Sequence, residues 1–159
     1  MEQFIATNLG LIGQLLLAVV LGGLIGVERS LVHKTAGLRT FALVALGSAA
    51  FTIIGLQAAQ GIDTVGAFEG SARIISQVVL GIGFLGGGLI IFNKGEVQGL
   101  TTSAGLWVAG AMGMAVGFKF YTLAVLVTAL TLIVFTFFWV IETTVVRKIG
   151  AKGKNPTTL

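Results

Sequence analysis

Apolar residues run along this chain in blocks about as long as a bilayer is thick, separated by short polar stretches, and the alternation predicts five membrane helices. The first spans about Asn8 to Val27 and is followed by Glu28-Arg29 and a connector with His33, Lys34 and Arg39. The second, about Leu38 to Leu56, begins with Arg39 and Thr40 and carries Ser48 and Thr52 deeper in. A polar, glycine-punctuated loop from Gln57 to Ser71 leads through Arg73 into the third, Ile74 to Phe92. A brief link, Asn93 to Gly99, precedes the fourth, Leu100 to about Gly117. The fifth, Tyr121 to Val140, lacks glycine, and Tyr121 and Trp139 mark its ends as an aromatic belt would. The expected architecture is all-α: one transmembrane domain over residues 1–145 and a basic tail over 146–159.

Glycine placement refines this picture. Small residues four apart let a neighbouring backbone approach closely in lipid, and such pairs occur at Gly22 and Gly26, at Gly83 and Gly87, and along Gly105, Ala109, Gly113 and Gly117. Gly81, Gly83 and Gly86 spell G-x-G-x-x-G, but apolar residues continue on both sides where a dinucleotide fold needs a strand and an amphipathic helix. The third span is therefore expected at the centre of the bundle, with the others around it. At helical spacing Arg73, Gln77, Gly81, Phe84 and Gly88 form one stripe, polar at one end and thin in the middle. The bare helix faces also suggest a homo-oligomer. No internal repeat is convincing, because the glycine pairs recur without matching flanks.

Composition agrees. Of 159 residues 55% are hydrophobic and 10% charged, with a mean hydropathy of +1.01, and lipid is the main solvent such a chain suits. The absence of cysteine excludes disulfides, thiolate metal sites and a cysteine nucleophile. The net charge of +4 does not indicate nucleic acid, since the basic residues flank apolar spans rather than forming a binding face. They indicate topology instead. With the C-terminus inside, the inner side receives Arg29, Lys34, Arg39, Lys94, Arg147, Lys148, Lys152 and Lys154, and the outer side only Arg73 and Lys119. The expectation is N-terminus outside and C-terminus cytoplasmic. A cleaved leader is not expected, because Met1 to Thr7 supplies no positive charge.

Few residues can carry chemistry. Glu28, Arg29, Arg39, Thr40, Thr101 and Thr102 all fall near the inner boundary and are expected as one polar cluster, with Glu28 paired to Arg29 or Arg39. The plainer account is that the basic members snorkel to the headgroups. His33, Asp63 and Glu69 read as solvated surface residues. No serine or threonine has a histidine and carboxylate partner in sequence, so no enzyme is expected, and no cofactor. A magnesium cage is thin, with Glu28 the one carboxylate at the bundle's inner edge, though carbonyls, hydroxyls and waters can substitute; Mg2+ is then a ligand or a substrate.

Four separated motifs carry a resemblance. Gly22-x-x-x-Gly26-x-Glu28-Arg29, Lys34-x-Ala36-Gly37-Leu38-Arg39-Thr40, Arg73-x-x-x-Gln77-Val-Val-x-Gly81-Ile-Gly-Phe-Leu-Gly-x-Gly88 and Gly99-Leu-Thr101-Thr102-x-Ala104 with Trp107 together resemble the MgtC/SapB family. The resemblance implies a multi-pass protein of the bacterial inner membrane with a link to growth in low magnesium. It also implies regulation of other membrane proteins, the membrane sector of ATP synthase among them. Virulence-type members have a soluble C-terminal domain and often an Asp-Pro pair before the arginine of the third span; here Glu69-Gly-Ser-Ala72 precedes Arg73 and a short tail ends the chain, as in a short SapB-like member. Two functions follow from the sequence. One is a modulator of magnesium homeostasis or stress adaptation that docks membrane proteins; the other is a small oligomeric cation transporter or channel whose path follows the Arg73 to Gly88 stripe.

Overall fold

The structure, a computed structural model, describes residues 1–59, 64–93 and 96–146. Its elements in order are helix α1 (Glu2–Leu31), α2 (Leu38–Ala58), α3 (Thr64–Gly88), an antiparallel hairpin of β1 (Ile91–Asn93) and β2 (Glu96–Gln98), α4 (Leu100–Gly117) and α5 (Tyr121–Ile133). The last helix runs on through a π-helical turn (Val134–Phe138), a short α-helical stretch (Trp139–Ile141) and a second π-helical turn (Glu142–Val146). Among the described residues five helices are long and apolar enough to cross a membrane, and the protein is an all-α polytopic bundle.

Helix α4 sits at the centre. In its apolar stretch 61% of the residues are buried inside the bundle, against 6% for α3. This corrects the expectation of a central third span. The cause is side-chain size around the whole circumference: α4 buries Gly105, Ala109, Gly110, Gly113, Ala115 and Gly117 on several sides, whereas α3 has Leu80, Phe84 and Leu85 standing exposed between its glycines. Two adjoining cores line α4. One gathers Ala18, Leu21, Ala45, Ala49, Met112, Val116 and Ala124; the other gathers Ile25, Phe41, Leu106, Ala109 and Phe135.

Glycine contacts set how close these helices come. A Cβ placed on Gly22 would lie 2.6 Å from the Ala45 Cβ and 2.7 Å from the Phe41 carbonyl oxygen, and one on Gly26 would lie 2.6 Å from the Leu38 Cα. From the other side, Gly113 faces the backbone of Ala45, and a Cβ on Gly117 would fall 2.9 Å from the Ala49 carbonyl oxygen. Helix α2 is thus clamped between α1 and α4 at backbone contact. By contrast, an added Cβ on Gly81, Gly83, Gly87 or Gly88 of α3 has no neighbouring atom within 4 Å, so the Gly83 and Gly87 pair packs against no other helix among the described residues.

Buried polar groups are met within the bundle. Gln14 Nε2 donates to the Val116 and Gly117 carbonyls at 2.6 and 2.9 Å, closing the end of α4, and Ser103 Oγ donates to the Gly86 carbonyl at 2.6 Å, tying α4 to α3. Thr52 and Thr128 hydroxyls donate to carbonyls four residues back, at 2.8 and 2.9 Å.

Local boundaries differ from the sequence reading, beginning with the first helix, which runs over Glu2–Leu31 rather than Asn8 to Val27 and so takes in Glu28 and Arg29. The expected loop Gln57 to Ser71 is helical from Thr64, because Thr64 to Ser71 holds no proline and continues the register of the apolar span. The third helix stops at Gly88 rather than Phe92, and the link beyond it is the β1–β2 hairpin. Directly after β2, Gly99 caps the start of α4, and its φ of +91° lies in the region that favours glycine. The fifth helix extends past Val140 to Val146. Asp63, Lys94 and the tail residues Arg147, Lys148, Lys152 and Lys154 lie outside the described residues.

Candidate functional site

The last turn of α1 delivers Glu28 and Arg29 to one end of the bundle, next to the start of α2. Arg29 donates from both Nε and a terminal nitrogen to the two Glu28 carboxylate oxygens, a two-point ion pair between neighbours in sequence. The arginine is 3% exposed. Its guanidinium carbon lies 3.6 Å from the centroid of the Phe135 ring, so a cation–π contact supports the charge from below. A charge this buried is stable only where pairing and polarisable contacts replace water, and Arg29 has both.

Phe135 reaches that position through the π-helical turn Val134–Phe138. The wider turn rotates one residue out of α-helical register, and Phe135 is buried while Val134, Phe137 and Phe138 remain exposed. Gly105 of α4 supplies the space, since a side chain there would meet the Phe135 ring and then, at 3.4 Å, Phe41. Below, Phe41 and Leu106 are almost completely buried. The α1–α2 turn is fixed by Ser30, whose Oγ accepts the Leu38 backbone N–H at 3.0 Å and so caps the start of α2.

Of the six residues expected as one polar cluster, the structure joins Glu28 to Arg29 and no further. Arg39 is exposed and makes no ion pair among the described residues; Thr101 is exposed, Thr40 half-buried and Thr102 buried, and no hydrogen bond joins any of them to Glu28. Phe135 was missed by the sequence reading. No local signal marks it, because the fifth span is apolar around its whole circumference.

The central-helix stripe also divides. Arg73, Gln77 and Gly81 line a groove of about 750 Å³ between α2 and α3, together with Gly47, Ser48, Phe51, Ile82 and other apolar residues. Phe84 is 84% exposed, and neither it nor Gly88 belongs to the groove. Among the described residues no group of three or more His, Asp or Glu is placed to hold a metal ion.

With five spanning helices and this geometry in place, comparison with known proteins is informative. The model of the MgtC family matches residues 15–144. This chain belongs to the MgtC family. YhiD of Escherichia coli (strain K12) is 41% identical over 128 residues, covering 79% of this chain and 59% of YhiD. SrpB of Synechococcus elongatus is 38% identical over 133 residues, covering 79% of this chain and 72% of that protein. MgtC of Brucella abortus (strain 2308) is 43% identical over 100 residues, covering 63% of this chain and 39% of that protein. The chain therefore spans about three fifths of YhiD and two fifths of the Brucella protein. No solved structure matches the chain. The matched segment contains Glu28, Arg29, Gly105 and Phe135, so the buried ion pair and its support lie within the part this chain shares with its family.

Proposed function

We propose that the protein is a non-enzymatic membrane protein of the bacterial inner membrane that modulates magnesium homeostasis or stress adaptation by contacting other membrane proteins. The observation that carries this reading is the uncovered face of α3, where an added Cβ on Gly81, Gly83, Gly87 or Gly88 meets no neighbour among the described residues and Phe84 is exposed. Bare backbone in lipid is the surface against which another membrane helix packs best. The Glu28–Arg29 pair supports the same reading from the other side, since it is closed on itself, and among the described residues no group of three or more His, Asp or Glu is placed to hold a cation. The basic residues favour a cytoplasmic C-terminus, which places Glu28, Arg29 and Arg39 on the inner side. The family resemblance points to the ATP synthase membrane sector as one partner, and a second copy of the chain as another.

The test replaces Gly83 and Gly87 together by leucine. An added Cβ at either position meets no neighbouring atom within 4 Å among the described residues, so the bundle is expected to fold while crosslinks to membrane partners and growth support at low magnesium are lost. Retained crosslinks and growth would remove the reading.

A second reading rests on YhiD, which is described as a candidate magnesium transporter. In that case the protein itself moves Mg2+. The groove beside Arg73 is a poor path for a cation, because a positive side chain stands in an otherwise apolar lining. Mg2+ flux into proteoliposomes that is lost in Glu28→Gln would establish this second reading and displace the first.

A further inference from the structure

The groove between α2 and α3 has a direction. The two helices run antiparallel, so Ile54 and Gly55 of α2 share one end with Arg73 and Ile74 of α3, while Leu43 and Leu85 share the other. Arg73 and Gln77 are its polar residues near the first end; Ser48 is the one other polar lining residue, and the remainder is apolar or glycine. From Arg73 to Leu85 the helix rises about 18 Å, close to the ~15 Å depth of one leaflet's hydrocarbon and well short of the whole core. The groove therefore has the reach of a single leaflet. A spanning helix of a partner would need a seam along the full length of α2 and α3.

The geometry points to a binding site for an anionic phospholipid of the surrounding bilayer, with its phosphate at Arg73 and Gln77 and one acyl chain along Gly47, Phe51, Gly81 and Ile82. Arg73 is exposed and makes no ion pair among the described residues, so its guanidinium is free to meet a phosphate, the anion its fork geometry suits. Gln77 lies one turn along the same stripe and adds an amide donor. The lack of side chains at Gly47 and Gly81 leaves width for a chain of methylenes: an added Cβ at either meets nothing within 4 Å. The site shares Gly81 with the uncovered face of α3 but includes neither Gly83 nor Gly87, so the Gly83 and Gly87 variant tests the function proposed above apart from lipid binding.

The full chain, purified in mild detergent, would be titrated with phosphatidylglycerol and with phosphatidylcholine of the same acyl chains, and retained lipid counted by native mass spectrometry. Wild type is expected to retain the anionic lipid about fivefold better, the preference one basic side chain supplies near a membrane surface. Arg73→Gln is expected to abolish the preference while leaving chain binding. Gly47→Leu combined with Gly81→Leu is expected to reduce both lipids, and open space at both positions lets that variant fold, as circular dichroism would verify. Equal retention of the two lipids by wild type, or a preference that survives Arg73→Gln, would overturn the assignment. So would a filled groove that leaves lipid retention unchanged and instead alters the oligomeric state, which would make a second copy the occupant.

Discussion

Helices α3 and α4 are the two most glycine-rich stretches of the bundle, and they end in opposite circumstances. Gly105, Gly113 and Gly117 of α4 are pressed against Phe135, Ala45 and Thr52, whereas Gly81, Gly83, Gly87 and Gly88 of α3 have no neighbour within 4 Å of an added Cβ among the described residues. The same spacing thus marks an internal seam in one helix and an unoccupied face in the other. What separates them is the rest of the circumference. Around the glycines of α4, small Ser103, Ala109 and Ala115 are buried together with Leu106, Met112 and Val116 against neighbours on several sides, while Leu80, Phe84 and Leu85 of α3 stand exposed at the rim. Glycine spacing specifies that something can approach; it does not specify whether that partner is part of the same chain.

The comparison is broken or sharpened most strongly by Gly113→Leu. Its side chain would stand against the Ala45 backbone, which cannot withdraw without separating α2 from α4. We expect a loss of about 3 kcal/mol or more, seen as failure to recover folded protein or a large drop in thermal midpoint. Gly83→Leu, a change of identical size on α3, is expected to fall within ~0.5 kcal/mol of wild type in the same assay. Equal effects from the two would refute the contrast.

Next in size is Arg29→Ala, which strands the Glu28 carboxylate and removes the cation over Phe135. The expected cost is about 2–3 kcal/mol by denaturant titration in detergent, against less than ~0.5 kcal/mol for Arg39→Ala, whose guanidinium is exposed and has no acidic partner among the described residues. Matching losses for both arginines would mean that Arg39 belongs to the pair after all.

Ser103→Ala is the smallest. It deletes the hydrogen bond from α4 to the Gly86 carbonyl, for an expected ~0.6 kcal/mol typical of such bonds between membrane helices. Hydrogen exchange should then quicken in the second half of α3 and stay unchanged in α2. Uniform acceleration across both helices would show that α3 is not held at the rim by this bond.

The sequence made the five spans and the glycine face of α4 legible because both are written in local pattern: length of apolar run, and a small residue every four. Pairing of Glu28 was legible as chemistry, with Arg29 and Arg39 left open as partners. Three features were not legible. The position of α3 was obscured because its small-residue pairs carry the same spacing as those of α4, while the outcome turned on the large, exposed Leu80, Phe84 and Leu85 between them. The burial of Phe135 in the π-helical turn Val134–Phe138 involves Gly105 and Arg29, far away in sequence, and among the phenylalanines of that apolar segment nothing local singles it out. The helical start at Thr64 was obscured by polar residues that suit a helix end outside hydrocarbon as well as they suit a loop.

Gln14 has a consequence for biogenesis. Its amide waits for carbonyls 102 and 103 residues further along the chain. At translation rates of about 5–20 residues per second, the ribosome takes on the order of 5–20 s to make that stretch. During this interval the first helix carries an unanswered polar group, which favours keeping it at the insertion machinery over releasing it into lipid. Replacing Gln14 by leucine would let α1 depart early, and the order in which spans leave the translocon would change before any difference appeared in the finished fold.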